Sequence, residues 1–338
     1  MIFSVAIIFS TLFNKYKKVE LLGSGAIFPL PLYQKLFEKY SKLTKVKVNY
    51  QGIGSGAGIK QFMDKTLDFG ASDIIFTDEN IKNEELIYIP TFIGAVVLGY
   101  NLQNNPQIKL SPEIISRIYL GKITKWNDPM IQKENEDIKL PDLNITVITR
   151  SDSSGTTYIF TEYLSKVSEE WKERVGKGIS IEWPVGISGK GNTGVAGLIT
   201  QVKGSIGYLE LMYAVKTKIS YAKIKNKQGN YIFPNKESIL NAFDLYSLEN
   251  KNISFTDTSL EEGYPIRSLT WIVIYKEQKY NNRKYKEALE LVTLLLWIID
   301  EGQKYVEEFD YISIPEILKN RSKDLLYKVT YDGKEIIK

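Results

Sequence analysis

A glycine-rich turn between a predicted strand and a predicted helix is the first stretch that could bind a charged group. In the segment YQGIGSGAGIKQF, four glycines fall within seven residues, at positions 52, 54, 56 and 58. Glycine lets a backbone come close to a ligand, and the first turn of a helix has N–H groups without internal partners. These N–H groups and the helix dipole together favour an anion. Ser55 adds a hydroxyl donor between Gly54 and Gly56, so the turn predicts an oxyanion site.

A second turn of the same kind, RSDSSGTT, opens another predicted helix later in the chain. Ser153 or Ser154 can cap that helix, Gly155 permits close backbone approach, and Thr156 offers a further hydroxyl. Arg150 stands just before the turn, and its planar guanidinium suits phosphate or carboxylate oxygens. Two such turns in separate halves of one chain predict a single oxyanion held between two lobes.

A dinucleotide site is the alternative interpretation of the first turn. Gly52, Gly54 and Ala57 satisfy the pattern G-x-G-x-x-A, and Asp73 follows Gly52 by 21 residues, at the spacing of a ribose-binding acid. That fingerprint normally follows the first strand of its domain, whereas a strand and a helix come first here. The segment GKGNTG, residues 189–194, matches the glycine pattern as well, which shows how readily it arises. The oxyanion hypothesis therefore needs fewer assumptions.

Composition excludes several classes of function. The chain has 338 residues, enough for two domains, with 43% hydrophobic and 25% charged residues, as in ordinary globular proteins. Its net charge of +4 is too small to indicate nucleic-acid binding. The absence of cysteine and histidine excludes thiol catalysis, a Ser-His-Asp triad and histidine-ligated metals. We therefore expect no metal and no cofactor.

The amino terminus begins with an apolar run, MIFSVAIIFSTLF, followed by Lys15, Lys17 and Lys18. Its length is close to that of the apolar part of a signal peptide and short for a membrane-spanning helix. A buried terminal strand or helix is the alternative. We interpret residues 1–18 as a leader or anchor that directs the chain out of the cytoplasm.

Alternating strand and helix patterns must position the two turns. The order strand, helix, strand, helix, strand over residues 19–73 is typical of a parallel α/β sheet, and the theme recurs around the second turn. A strongly apolar strand surrounds YIPTFIGAVVLGYNL, and another covers IRSLTWIVIYK. Residues 284–309 read as one long amphipathic helix.

These stretches resemble the phosphate-binding protein of the high-affinity phosphate ABC transporter. The resemblance runs from about Leu21 to the carboxyl terminus and is carried by GSGAIFPLPLYQK, VNYQGIGSGAGIKQF, DFGASD, LGKITKWND, RSDSSGTTYIFTEYLSKV, GKGNTGVAG and GSIGYLE. It implies a type II periplasmic-binding-protein fold of the Venus-flytrap kind, with two α/β lobes joined by a hinge. Residues 19–95 and 266–338 would form lobe 1, and residues 96–265 would form lobe 2.

The resemblance also implies which residues contact phosphate. The family's contacts correspond here to Ile27, Phe28, Ser55, Asp73, Arg150, Ser154, Gly155 and Thr156. Asp152 would pair with Arg150 and hold its guanidinium. The family usually has Thr where this chain has Ile27, which removes a hydroxyl donor and costs about 1 kcal/mol or more if a phosphate oxygen stays unsatisfied. Ser153 replaces the usual Gly in the arginine loop, which is a milder change.

A carboxylate beside an anion makes sense if the anion carries a proton. Phosphate keeps a proton near neutral pH, and Asp73 could accept it through a short hydrogen bond. Sulfate has no proton to offer, so two anions would face each other. The expected function is capture of inorganic phosphate by a monomeric protein outside the cytoplasm and its delivery to permease subunits. The alternatives are a secreted phosphatase or phosphoryl-transfer enzyme with Ser55 or Ser154 as nucleophile, and a phosphate scavenger or sensor without a transporter.

Overall fold

The structure is a computed structural model that describes residues 19–76, 85–242, 255–309 and 311–337. The predicted leader, residues 1–18, lies outside the described residues. The strands are β1 Glu20–Gly25, β2 Lys47–Gly52, β3 Phe69–Ser72, β4 Leu86–Tyr100, β5 Lys109–Leu110, β6 Thr146–Arg150, β7 Ile187–Gly189, β8 Ser205–Glu210, β9 Ser220–Tyr221, β10 Lys223–Lys225, β11 Tyr231–Ile232, β12 Arg267–Tyr275, β13 Thr330–Tyr331 and β14 Lys334–Glu335. The helices are α1 Leu30–Thr44, α2 Ser55–Met63, α3 Pro112–Tyr119, α4 Pro129–Glu134, α5 Gly155–Val167, α6 Glu169–Arg174, α7 Gly191–Gln201, α8 Leu211–Thr217, α9 Lys236–Leu240, α10 Tyr285–Ile299, α11 Gly302–Glu308 and α12 Glu316–Tyr327.

The main sheet of the described residues has nine strands and is parallel at its two ends. Its order is β2-β1-β3-β12-β4-β8-β6-β7, with β9 paired to β4. The strands β1, β2 and β3 pair in parallel, as do β6, β7 and β8. These two parallel groups are the ones that the alternation of strand and helix predicts, because parallel neighbours need helical crossovers. Functional side chains of such sheets collect at the carboxyl ends of the strands.

The middle of the sheet is antiparallel, which the local patterns do not predict. Strand β12 pairs antiparallel with both β3 and β4, and β8 pairs antiparallel with β4. The fold is thus a mixed α/β fold, because β12 enters from a distant part of the chain and not through a crossover helix. Both β4 and β12 are almost entirely buried, which explains their nearly continuous apolar sequence.

Strand β4 changes its pairing partner in mid-strand. Its first part, Leu86–Ala95, pairs with β12, and its last part, Val96–Tyr100, pairs with β8. One continuous strand therefore belongs to both parts of the sheet. The two parts carry the two predicted anion-binding turns, one after β2 and the other after β6.

The predicted long helix over residues 284–309 is wrong, because the structure contains two helices there. Helix α10 ends at Ile299 and α11 begins at Gly302. The buried side chain of Gln303 stabilises the break: its amide nitrogen donates to the carbonyls of Thr91 and Ile298, and its amide oxygen accepts from the N–H of Ile314. The apolar periodicity continues across the break, so the sequence pattern alone does not reveal it.

Candidate functional site

The glycine turn after strand β2 receives the backbone of the second turn. Gly54 precedes helix α2 with φ +98°, a conformation that favours glycine. A Cβ atom at Gly54 would lie 2.3 Å from the carbonyl oxygen of Ser153, and one at Gly56 would lie 2.1 Å from the Ser153 hydroxyl. Both glycines therefore leave room for Ser153. This packing partner was not predicted from the sequence.

The second turn joins the end of strand β6 to helix α5. Ser154 caps the helix, because its Oγ accepts a hydrogen bond from the N–H of Thr157 at 3.2 Å. Gly155 and Thr156 form the first turn of the helix, and both are buried. The predicted cap thus falls on Ser154, and Ser153 instead lies against the glycine turn.

Asp73 lies just beyond the end of strand β3, with only 5% of its surface exposed. Thr270 donates a hydrogen bond to its Oδ1 at 2.8 Å, while its Oδ2 lies 3.4 Å from the Ser55 hydroxyl. The Ser268 hydroxyl donates to the Asp73 carbonyl at 3.3 Å. Thr270 and Ser268 were not predicted from the sequence to belong to the site. The signal that could have found them is two polar residues at alternate positions in the apolar run IRSLTWIVIYK.

Gly155 brings the two turns into one site. A Cβ atom at this position would lie 2.7 Å from Asp73 Oδ2 and 2.7 Å from Ser55 Oγ. These distances are shorter than van der Waals contact, so only glycine fits here while the two parts of the sheet are this close. The carboxylate, the Ser55 hydroxyl and the start of helix α5 therefore meet at one point.

Gly155→Ala is expected to weaken the binding of an anion at this point by about tenfold to a hundredfold. The added methyl group must push the second turn away from Asp73 and Ser55, and overpacking of this kind costs about 1–3 kcal/mol. Equilibrium dialysis with labelled phosphate measures the effect. Gly197→Ala is the matched control, because a Cβ at that position in helix α7 meets no described atom within 4 Å. Equal affinity in the two variants would contradict this role for Gly155.

Arg150 ends strand β6, and its side chain is held in a fixed orientation. Asp152 accepts from its Nε at 2.8 Å and from its Nη2 at 2.6 Å, and Nη1 donates to the hydroxyl of Thr156 at 3.3 Å. The side chain of Arg150 is 1% exposed. Because Asp152 takes only the edge with Nε and Nη2, the other edge of the guanidinium, at Nη1, can donate to a second anion.

Asp152 in turn is supported by helix α7. The N–H of Gly191 donates to its Oδ1 at 2.8 Å, and Gly191 has φ +69°. Burial acts to raise the pKa of Asp152, but the hydrogen bonds and charge of Arg150, with the Gly191 N–H, lower the pKa below its usual value. The segment GKGNTG, which matches a dinucleotide pattern by its glycines, thus supports the arginine loop.

Burial raises the pKa of the Asp73 carboxyl from its ordinary 3.8 to about 7. The hydrogen bond from Thr270 and the nearby charge of Arg150 oppose this rise without cancelling it. Because the folded pKa exceeds the unfolded one, the folded chain binds more protons between these values. The free energy of unfolding therefore falls as pH rises from about 4 to about 7. Below pH 4 and above pH 7, the contribution of Asp73 to this free energy does not change with pH.

Asp73→Asn is expected to remove this pH dependence. In phosphate-free protein, the variant should gain stability relative to the native chain by up to about 3 kcal/mol between pH 5 and pH 8, because an amide cannot ionise. The upper value applies to the closed cleft described here, in which Gly155 lies against the carboxylate. Urea denaturation at the two pH values measures the difference. A stability difference that stays constant, or that moves in favour of the native chain at high pH, would contradict the raised pKa.

Ile27 and Phe28 lie in the turn between strand β1 and helix α1. The Ile27 carbonyl accepts from the N–H of Leu30 at 3.1 Å and from the hydroxyl of Tyr213 at 2.8 Å. Phe28 is fully buried, and its ring stacks on that of Phe92 with centroids 6.1 Å apart. The side chains of Ile27 and Phe28 are apolar, so only their backbone N–H groups can bind an anion.

The described residues were also searched for a metal-binding cluster and for a membrane-spanning helix. Within the described ranges, no cluster of three or more His, Cys, Asp or Glu side chains is arranged to bind a metal ion. In the same part of the chain, no helix combines the length and the apolar character needed to cross a bilayer.

Proteins that are similar to this chain were found both by sequence and by structure. Residues 16–301 match the model of the PBP superfamily domain. The phosphate-binding protein PstS of Pasteurella multocida is 40% identical over 317 residues, which cover 92% of this chain and 91% of that protein. The PstS of Haemophilus influenzae is 40% identical over 301 residues, covering 88% of this chain and 89% of that protein.

Solved structures share the two-lobed fold. A putative phosphate ABC transporter substrate-binding protein from Clostridium perfringens, solved with bound phosphate, has a TM-score of 0.64 at 22% identity and covers 88% of this chain and 100% of its own. The high-affinity periplasmic phosphate-binding protein PfluDING has a TM-score of 0.71 at 18% identity, covering 90% and 93%. The chain belongs to the PBP superfamily and, within it, to the family of phosphate-binding proteins.

Proposed function

We propose that this chain captures inorganic phosphate between two lobes outside the cytoplasm and delivers it to the permease of a phosphate ABC transporter. The observation that carries the proposal is the convergence of an acceptor, Asp73, and a fixed cation, Arg150, on the two glycine turns. The point of convergence is Gly155, which abuts Asp73 and Ser55 directly. Relatives that are 40% identical are named phosphate-binding proteins.

The two lobes are proposed to be residues 19–95 with 266–338, and residues 96–265. This division is supported by strand β4, which leaves β12 at Ala95 and joins β8 at Val96. With that division, Ser55 and Asp73 lie on lobe 1, whereas Arg150 and helix α5 lie on lobe 2. Closure of the cleft would then assemble the site and exclude water, which strengthens each polar contact.

Each proposed phosphate contact has a distinct chemical role. The N–H groups of Ile27, Phe28 and Gly155 donate from the backbone, and the hydroxyls of Ser55, Ser154 and Thr156 donate from side chains. The Thr156 hydroxyl already accepts from Arg150, and the Ser154 hydroxyl accepts from Thr157, so each keeps its own hydrogen for a phosphate oxygen. Arg150 supplies the charge, and Asp152 holds it in place.

Asp73 is proposed to accept the proton that phosphate carries. Thr270 donates to Oδ1 at 2.8 Å, whereas Oδ2 accepts a longer hydrogen bond of 3.4 Å from the Ser55 hydroxyl and lies beside Gly155. Oδ2 is therefore the oxygen that would accept the phosphate O–H. Sulfate, which is fully ionised, would bring a second negative charge against this carboxylate. Sulfate is thus rejected because the ionised Asp73 can only accept a hydrogen bond, and sulfate has no proton to donate.

The protein is proposed to bind phosphate without transforming it, as a monomer and without a cofactor. A phosphatase would need Ser55 or Ser154 as nucleophile, and the chain has no histidine to serve as its base. The proposed location, the periplasm or the outer face of the cell membrane, is supported by the apolar segment at the amino terminus and by PfluDING, a periplasmic protein with the same fold.

Equilibrium dialysis with labelled phosphate, run beside an assay with a chromogenic phosphate ester, tests this proposal. We expect a Kd of about 1 μM or lower for phosphate, which corresponds to roughly −8 kcal/mol, and no turnover of the ester. Ester hydrolysis that is lost in Ser55→Ala or Ser154→Ala would support the phosphatase instead. Absence of phosphate binding by a folded protein would contradict the proposed ligand.

A further inference from the structure

The hydroxyl of Tyr213 reaches from helix α8 to the turn after strand β1. It donates to the carbonyl oxygen of Ile27 at 2.8 Å, and the two residues are 186 positions apart in the chain. Tyr213 is 8% exposed, so this contact is shielded from water. In the proposed division of the chain, Tyr213 belongs to lobe 2 and Ile27 to lobe 1. The contact therefore spans the cleft and is lost when the cleft opens.

The acceptor of this hydrogen bond belongs to the same peptide group as a proposed phosphate donor. The carbonyl of Ile27 and the N–H of Phe28 share one planar amide, and the described chain has no cis peptide bond. The carbonyl also accepts from the N–H of Leu30 within lobe 1, so the bond from Tyr213 adds a second restraint on the direction of the Phe28 N–H. It also polarises the amide, which makes that N–H a stronger donor.

The side chain of Ile27 is held from the same side. A Cβ at Gly191 would lie 3.2 Å from Ile27 Cδ1, so the isoleucine packs against the start of helix α7. The N–H of Gly191 donates to Asp152, the partner of Arg150. Ile27 thus contacts two elements of lobe 2, one through its carbonyl and the other through its side chain.

Helix α8 is itself tied to helix α7. Asn192, the residue after Gly191, accepts a hydrogen bond through its Oδ1 from the N–H of Glu210 at 3.2 Å. Glu210 immediately precedes helix α8 and is buried. The position of Tyr213 is therefore set by the same elements that support Asp152 and Arg150. This link connects the arginine loop of lobe 2 to the first phosphate-binding turn of lobe 1.

We propose that Tyr213 is a positioning residue for phosphate. On closure, its hydroxyl bonds to the Ile27 carbonyl, directs the Phe28 N–H into the cleft and stabilises the closed form. The inference rests on the proposed function, because it concerns the affinity of that same site. Tyr213 acts through the peptide group and does not touch the ligand, so its loss weakens phosphate binding without changing which oxyanion is preferred.

Tyr213→Phe tests this inference, because it removes the hydroxyl alone. We expect the Kd for inorganic phosphate to rise by about two- to tenfold, with a matching rise in the dissociation rate and an unchanged association rate. Without phosphate, when the cleft is open, the Tyr213→Phe variant should have the same stability as the native chain, because the contact forms only on closure. Stopped-flow fluorescence, calorimetry and urea denaturation provide the three measurements.

Tyr163→Phe is the matched control. The hydroxyl of Tyr163 is buried and has no hydrogen-bond partner among the described residues, so its loss should leave phosphate affinity unchanged. Tyr213→Phe with native affinity and dissociation rate would overturn the inference while leaving the proposed function intact. An equal loss of stability with and without phosphate would also overturn it, because the hydroxyl would then be structural in both states. A native chain that does not bind phosphate would instead refute the proposed function.

Discussion

Arg150→Ala is expected to weaken phosphate binding by about a hundredfold to a thousandfold, more than removal of any single hydroxyl. Arg150 is the cation of the site. Because it is buried, removal of its charge strongly reduces the free energy of phosphate binding. Truncating one member of a buried charged pair costs about 2–5 kcal/mol, and this change also leaves Asp152 facing the anion without its partner. Calorimetric titration with phosphate measures the loss.

Arg150→Lys separates charge from shape. An ammonium group keeps the positive charge but cannot bond to both Asp152 oxygens and to Thr156 in the same plane. It should recover only part of the affinity lost in Arg150→Ala. Arg117→Lys is the control, because Arg117 pairs with Glu113 on the exposed face of helix α3. If Arg150→Ala binds phosphate within tenfold of the native protein, the guanidinium is not the main anion contact.

Asp73→Asn is expected to admit sulfate, with an increase in sulfate affinity of at least about a hundredfold. At pH 8, above its pKa of about 7, Asp73 is ionised and opposes a fully ionised ligand, and contact between like charges costs several kcal/mol. The amide removes this repulsion and can donate through its nitrogen to a sulfate oxygen. Phosphate affinity should change by less than the sulfate affinity, so the ratio between the two ligands collapses.

The control for this variant is Asp142→Asn. Asp142 is an exposed carboxylate paired with Lys125, outside the cleft, so its loss should leave sulfate rejection unchanged. Titration of both variants with phosphate and sulfate at pH 8 and one ionic strength isolates the contribution of the ionised carboxylate. If sulfate still fails to bind Asp73→Asn, selectivity does not arise from the carboxylate, and the size of the closed cleft becomes the better explanation.

The two turns and their helices could be predicted from local sequence signals. Glycines before a helix, a capping serine and an arginine at the end of a strand act over a few residues, and the structure contains them at Gly54, Ser154 and Arg150. The occurrence of two such turns also predicted one shared oxyanion, and the resemblance to a known family added which residues would contact it. No short-range pattern in the chain specifies the direct packing of Gly155 against Asp73 and Ser55.

The support around the turns could not be predicted in the same way. Thr270 bonds to Asp73 across 197 positions of chain, and Tyr213 bonds to Ile27 across 186. Such pairs depend on the order of strands in the sheet, and the antiparallel entry of β12 between β3 and β4 has no local signature. The break after helix α10 is similar, because Gln303 acts through buried contacts while the apolar pattern of the sequence continues.

The measurement that tests the central claim most directly is calorimetric titration of the protein from Lys18 onward with phosphate and then with sulfate. The protein is first unfolded, washed free of ligand and refolded, and circular dichroism verifies its fold. We predict a phosphate Kd of about 1 μM or lower and no sulfate heat. Comparable binding of sulfate, or no phosphate heat from the refolded protein, would contradict a site built for a protonated oxyanion.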